Sequence, residues 1–417
     1  MQSKKVLLAS TIGTSLEFYD YTLYGVFAPI LAEQFFPGTN HFTKLMMSLS
    51  VFAVSFFVRP IGGAIFGFIG DFWGRKKALM LTIILMGGST FLIGLMPTYE
   101  QIGLFAPIFL TICRLIQGFC AGGEHNGSAI FVIEHSKTNR QGIKGAFVYT
   151  SAAFGNLIAL LAGSLVLSSN MPVWGWRLPF IFSIVLAIIG LYFRCKVDES
   201  PEFRNMKSRP LQNKAPSFYK KYKASIFKAI GVGGCNGILI YMLTVYMNIH
   251  VSSILNYPLS YSISIVALSL MVVLILTPIA GYLADRYGYA KIMSFGCLIT
   301  FMSSYFIFKL MNFGGFFMVL SLLTLAVCVS LFAGPMHAFL NELFPPNYRY
   351  RGITICFSIG LGLFGGTIPL LSSYLVKLTN ITESPCVFLM FGAILGFLAV
   401  NNLFVRKSTS TTAYQTG

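Results

Sequence analysis

Five ionisable residues stand inside stretches that are otherwise apolar: Glu17, Asp20, Arg59, Arg114 and Glu124. A charge at the centre of a membrane helix costs about 2.5–3.5 kcal/mol on an insertion scale, so each needs a partner, water or a task. Glu17 and Asp20 are three residues apart, about 60° around a helix. Ser10, Thr14, Tyr21 and Tyr24 continue their stripe at steps of three and four, and this face is expected to line a central cavity. One chemistry open to the acid pair is proton loading and release, because desolvation favours the protonated carboxyl while a nearby arginine favours the carboxylate. The other is a fixed ion pair with Arg59 or Arg114 that only joins helices.

Arg114 is followed by Gln117 and Gly118. Its guanidinium could hold a carboxylate in a bidentate fork, tune the acid pair, or serve a structural pairing, while Gly118 lets another helix approach closely. Glu124, beside Gly122 and Gly123, reads as an inner proton-release group or as an acid that stabilises a gate. Tyr149 with Asn156, and Tyr241 with Thr244, share helical faces and are expected to complete a substrate cavity with Tyr21, Tyr24, Arg59, Arg114 and Gln117. Aromatic faces there would suit an ammonium group through cation–π attraction. His125 and His337 read as packing residues, with His337 and Lys309 expected near span ends, where hydration is cheap.

The elements that carry these residues follow from composition. The 417 residues are 55% hydrophobic and 10% charged, against about 25% charged in soluble chains, which excludes a soluble enzyme, a disordered chain or a disulfide scaffold. A membrane-crossing helix needs about 20 mostly apolar residues. Stretches of that kind lie at 6–31, 44–69, 78–96, 103–132, 144–168, 177–194, 226–250, 261–284, 289–311, 313–338, 351–376 and 385–405. The expected fold class is therefore an all-α integral membrane protein with twelve transmembrane helices and both termini on one side. Lys4 and Lys5 precede the first run, but its length and its acids mark it as a span, not a signal peptide.

Placing the termini in the cytoplasm puts 24 of the 30 basic residues on that face, the positive-inside pattern. The net charge of +17 then needs no nucleic-acid partner. The eight cysteines show no metal-ligand spacing, and no HExxH, G-x-S-x-G or phosphate-binding loop occurs. No metal, cofactor or enzymatic activity is expected.

The only long polar stretch, 195–225, divides the chain into a half at 1–194 and a half at 226–405, with a short tail at 406–417. It reads as a cytoplasmic connector, or as a regulatory or anionic-lipid contact. A repeat supports the division. Gly67-x-x-x-Asp71-x-x-Gly74-Arg75 follows the second stretch and Gly281-x-x-x-Asp285-Arg286-x-Gly288 follows the eighth. Parallel six-span halves belong to a transporter architecture with substrate at their interface. Gly67, Asp71, Gly74, Arg75, Asp285 and Arg286 are accordingly expected to act as a conformational switch that holds one side shut in one state.

That loop resembles the signature of the major facilitator superfamily, and Arg114-x-x-Gln117-Gly118 resembles its second motif. Gly13-Thr-Ser-Leu-Glu17-Phe18-Tyr19-Asp20-Tyr21, Arg59-Pro60-Ile61-Gly62-Gly63, Gly122-Gly123-Glu124, Trp174-Gly175-Trp176-Arg177, Asp198-Glu199-Ser200-Pro201-Glu202-Phe203 and Glu342-Leu343-Phe344-Pro345 narrow the resemblance to the metabolite:proton symporter family, nearest its proline/betaine branch. The resemblance covers nearly the whole chain. It implies a monomeric, multi-pass transporter of the bacterial inner membrane, in contact with lipid, that moves a small zwitterion or carboxylate with a proton by alternating access. Glu17, Asp20, Arg114 and Glu124 are its expected proton-coupling residues. A di- or tricarboxylate symporter, an exporter of a metabolite or siderophore, and a non-transporting receptor on the same fold are the alternatives. Tyr289 stands where a basic residue often follows the second-loop glycine, a departure expected to weaken that copy's contacts.

Overall fold

The computed structural model describes residues 2–136, 138–166, 172, 174–207 and 221–401. Over the described residues, each of the twelve apolar stretches carries a helix. The helices are α1 Gln2–Phe35, α2 His41–Phe72, α3 Arg75–Leu95, α4 Phe105–Glu134, α5 Gln141–Val166, α6 Arg177–Cys195, α7 Lys223–Ile254, α8 Leu259–Tyr287, α9 Tyr289–Met311, α10 Gly315–Glu342, α11 Pro346–Thr379 and α12 Cys386–Val400. Among the described residues, ten helices are long and apolar enough to cross a bilayer. The two that fall short do so for visible reasons. Polar and charged residues, Glu17 and Asp20 among them, dilute the apolar character of α1, and α12 is only 15 residues long.

The packing is that of a bilayer solute. Phe57, Ile61, Ile65, Ile188, Ile275, Phe306 and Leu370 point outward and exposed, while Glu17, Asp20, Arg59, Arg114 and Glu124 are all buried. Hydrocarbon outside and ionisable groups inside invert the soluble pattern. Close backbone approach makes the interior possible. A Cβ on Gly118 would strike the Ser55 carbonyl, one on Gly122 the Arg59 carbonyl, and one on Gly62 the Phe119 carbonyl. Helices α2 and α4 therefore cross backbone to backbone, which brings Arg59 and Arg114 into one region.

The helices of 1–195 pack chiefly among themselves, as do those after 222, and the two groups meet along α2 with α11, α5 with α8, and α5 with α10. Both repeated loops are used alike. Their closing glycines, Gly74 and Gly288, have φ of +121° and +101°, a backbone region that glycine enters freely. Their opening glycines sit where the groups touch: a Cβ on Gly67 would lie 2.6 Å from Arg351 Cα, and one on Gly281 would lie 2.7 Å from the Gly142 carbonyl oxygen. The end of the molecule that carries these loops is called the charged end below.

Two sequence expectations need correction. Arg194 and Arg75, two of the 24 basic residues that the sequence assigns to the cytoplasmic face and its loops, are buried, each with carboxylate partners inside the helical packing. The start of the polar segment is also more than a connector. Glu199 accepts the Lys76 backbone N–H at 3.2 Å, at the N-terminus of α3, where a carboxylate is favoured. Phe203, on the short helix Pro201–Lys207, lies beneath the Arg75 guanidinium at 5.3 Å. The rest of the segment's lysine-rich part, 208–220, and the tail 406–417 lie outside the described residues.

Candidate functional site

Glu17 on α1 and Arg59 on α2 face a chamber closed by α4, α5, α7 and α11. Tyr149, Asn156 and Tyr241, expected from the sequence, share its wall. It has about 30 Å³ of water-accessible space, room for about two waters. Glu17 is 1% exposed, and its Oε2 has no hydrogen-bond partner among the described residues. A buried, unsatisfied carboxylate oxygen is costly, so this atom is placed to receive a proton or a cationic group. Arg59 is sandwiched against the Tyr21 and Phe56 rings at 4.3 and 4.6 Å, and its Nε–H donates to Tyr21 Oη at 3.3 Å.

Asp20 does not share the chamber. Its angular offset from Glu17 suffices to turn it toward α3, where Thr90 donates to its Oδ2 at 2.6 Å. Thr90 Oγ1 accepts from Gln117 Nε2 at 2.6 Å, and Gln117 Oε1 accepts from Arg114 Nη1 at 2.7 Å. Arg114 is therefore joined to Asp20 through a relay, with its Nε–H left without a hydrogen-bond partner among the described residues. Tyr24 and Phe52 cover it at 4.3 and 5.2 Å. Tyr21, Tyr24, Arg114, Gln117 and Thr244 all lie outside the chamber wall, and Thr244 spends its hydroxyl on the Ile240 carbonyl at 2.7 Å.

Glu124 is occupied differently again. Arg194 donates to both of its carboxylate oxygens, with Thr82 at 2.5 Å and Ser128 at 2.9 Å completing its shell. All four residues belong to α3, α4 and α6, so the pair braces one helical group internally.

The wall also contains Asn126, Asn236 and Ser358, which sequence reading passed over. Their signal was an uncharged polar side chain inside an apolar run. Backbone widening marks the same region: i→i+5 turns occur at Met242–Tyr246 in α7 and Leu361–Gly365 in α11, beside wall residues Tyr241 and Leu361. Such turns re-aim side chains at functional sites.

At the charged end the groups are latched. Asp71 pairs with Arg75 at 3.3 Å and, across the interface, with Arg351 at 3.5 Å. Glu134 pairs with Arg75 at 3.4 Å and, across the interface, with Arg349 at 3.2 Å. Arg349 also binds Glu202. Burial beside Glu134 raises the Glu202 carboxyl above its ordinary value, and Arg349 opposes that rise. Asp285 caps α5 by accepting the Gly142 and Ile143 N–H groups at 2.7 and 3.0 Å. Tyr289 strengthens this second copy, donating to Asp285 Oδ1 at 3.1 Å. Arg286 takes no part, lying over the Tyr282 ring at 4.7 Å.

Residues 5–226 match the family described as "Sugar (and other) transporter", and residues 229–416 match "Major Facilitator Superfamily". The chain is 33% identical to the "Proline/betaine transporter" of Escherichia coli, over 95% of this chain and 82% of that protein. It is also 33% identical to the "Glycine betaine/proline/ectoine/pipecolic acid transporter OusA" of Dickeya dadantii, over 98% and 84%. The fold is similar to that of the proton:xylose symporter XylE bound to 6-bromo-6-deoxy-D-glucose, with a TM-score of 0.76 at 18% identity over 97% of this chain and 95% of that one. This chain belongs to the major facilitator superfamily and, within it, to the metabolite:proton symporter family: it is a secondary active, multi-pass transporter of the bacterial inner membrane.

Proposed function

We propose that the chain imports a small zwitterion of the proline or betaine kind together with a proton, by alternating access. The observation that carries this reading is the presence of one carboxylate with an unpartnered oxygen, Glu17, and one arginine, Arg59, on the wall of a single chamber. A zwitterion presents a cation to the first and a carboxylate to the second. Tyr149, Tyr241 and Phe357 in the wall supply aromatic faces for an alkylated ammonium. A di- or tricarboxylate would want both arginines, and Arg114 is sealed behind Tyr24 and Phe52. The names of the relatives agree with a zwitterion.

In this reading twelve spans form two six-helix halves, 1–194 and 226–405. The 195–225 segment, both termini and the 406–417 tail are cytoplasmic, and one chain suffices for the cycle. The charged end is then the cytoplasmic gate, shut here by the Asp71, Arg75, Glu134, Asp285, Arg349 and Arg351 contacts. The chamber is contracted and must widen for substrate. Glu17 exchanges its proton with chamber water, and Asp20 senses Arg114 through Thr90 and Gln117. Proteoliposome uptake tests this. Wild-type protein should accumulate proline or glycine betaine under an inward proton gradient, whereas Glu17→Gln, which removes both the proton site and the partner of the substrate's cation, should lose accumulation and substrate counterflow together. Uptake indifferent to the gradient would refute the coupling.

A further inference from the structure

His125 on α4 and His337 on α10 meet across the two helical groups, Nε2 to Nε2 at 3.2 Å. Both are buried, at 5% and 2% exposed, and their rings are edge to face with centroids 4.7 Å apart. His337 is thus not at a hydrated span end, as its position in the sequence suggests. Phe18 and Tyr149 enclose His125 at ring distances of 5.3 and 6.0 Å, and His125 Nδ1 has no partner among the described residues. The two imidazoles therefore satisfy each other through Nε2, and His125 has no second hydrogen-bond partner among the described residues.

We propose that the His125–His337 contact is a proton-sensitive latch of the charged-end gate, positioning the two helical groups for transport. The chemistry is a matter of counting protons. One Nε2–H can lie between facing nitrogens, and a single added proton still leaves a donor opposite an acceptor. A second added proton sets two N–H groups and two positive charges face to face across the same short contact, which must then part. Separated and hydrated, each imidazole is free to take its own proton. The open gate thus binds at least one proton more than the closed one, and acid favours opening.

The surrounding groups do not cancel this count. From α1 and α2, Glu17 and Arg59 share the chamber wall with His125, one of each sign. From α4, Glu124 is neutralised by Arg194. From α5 and α7 come only the phenols Tyr149 and Tyr241. The latch also sits next to the chamber, so the proton that opens it and the substrate that leaves share one route.

This inference rests on the alternating-access reading, and the test separates the two. Spin labels placed on exposed positions of the two groups at the charged end report the gate distance in purified protein, with no gradient or substrate. For one extra proton taken up by groups with the ordinary histidine pKa near 6.5, lowering the pH from 6.5 to 5.5 should raise the open-to-closed ratio about fivefold. His337→Gln and His125→Gln each keep a neutral hydrogen-bonding side chain and should abolish that pH response while still folding, as shown by an unchanged melting temperature. A pH-independent gate in the wild type, or an undiminished response in the two variants, would overturn the latch. A normal gate response with gradient-independent uptake would instead count against the proposed proton symport.

Discussion

Replacing Arg194 with methionine tests whether Glu124 is a structural brace or a proton site. The two side chains are 3% and 1% exposed. The guanidinium touches both carboxylate oxygens, and it also bonds the Leu79 carbonyl. Their position fixes more than α4 and α6. A Cβ on Gly13 would collide with Arg194 Nη2 and Glu124 Oε1, so α1 is seated on the pair one turn before Glu17. Removing one partner of a buried pair leaves an uncompensated charge and costs about 3–5 kcal/mol. In a cooperative unit of roughly 200 residues, about 2–4 °C is lost per kcal/mol, which predicts a melting temperature lower by about 6–20 °C. The double variant Arg194→Met with Glu124→Leu removes both charges and should recover at least half of that loss, since apolar replacement of a whole pair is often near neutral. Differential scanning fluorimetry in detergent measures all three proteins. If Arg194→Met melts within about 2 °C of wild type, less than the loss of a single kcal/mol would cause, and instead moves the pH optimum of uptake, Glu124 is a proton site and the reasoning fails.

Asp71→Asn removes the charge that binds Arg75 and Arg351 at the gate. Uptake should fall at least tenfold while the thermal shift induced by substrate persists, and loss of binding as well would show that Asp71 acts on the chamber. Glu33 lies at the opposite end of α1, where hydrogen bonds from Lys44 and His41 hold its carboxyl below the ordinary range. A depressed carboxyl contributes above its unfolded pKa of about 4.3 and is lost as pH falls through its lower folded value. Its charge is therefore constant from pH 5 to 8, and Glu33→Gln should leave the shape of the uptake–pH profile over that range unaltered.

The helices were legible because hydropathy reports the bilayer directly, and turn glycines did most of the punctuation. The separation of α9 from α10 needed only Asn312, Gly314 and Gly315, and the structure uses Gly314 and Gly315 at φ of +67° and +49°. The duplicated loop was legible for a different reason. Glycines that relieve backbone contact, and an aspartate within two residues of a helix end, do the same work wherever such helices cross. What could not be read was which charges meet. Sequence placed Arg194 with the loop cations because it stands next to a polar segment, yet the end of α6 lies inside the packing of α3 and α4. Only the three-dimensional crossing shows that Glu124 is its partner.

The acid pair shows the same limit at finer scale. A helical wheel puts Glu17 and Asp20 on one face, and for the helix taken alone that is correct. In the assembled protein α1 is flanked on that face by α3 on one side and the chamber on the other, and the small offset between the two acids is enough to divide them. Glu17 gains a place on the chamber wall beside Arg59, while Asp20 gains Thr90 and a relay to Arg114, and each keeps one carboxylate oxygen without a hydrogen-bond partner among the described residues. Two carboxylates that sequence treats as equivalent thus receive different environments, one on the chamber wall and one joined through Thr90 and Gln117 to Arg114. The proposed proton coupling uses that asymmetry, because it assigns substrate and proton to the acid on the chamber wall and leaves the other to hold the helices. Helix spacing alone leaves the two interchangeable, and the neighbours of α1 assign them.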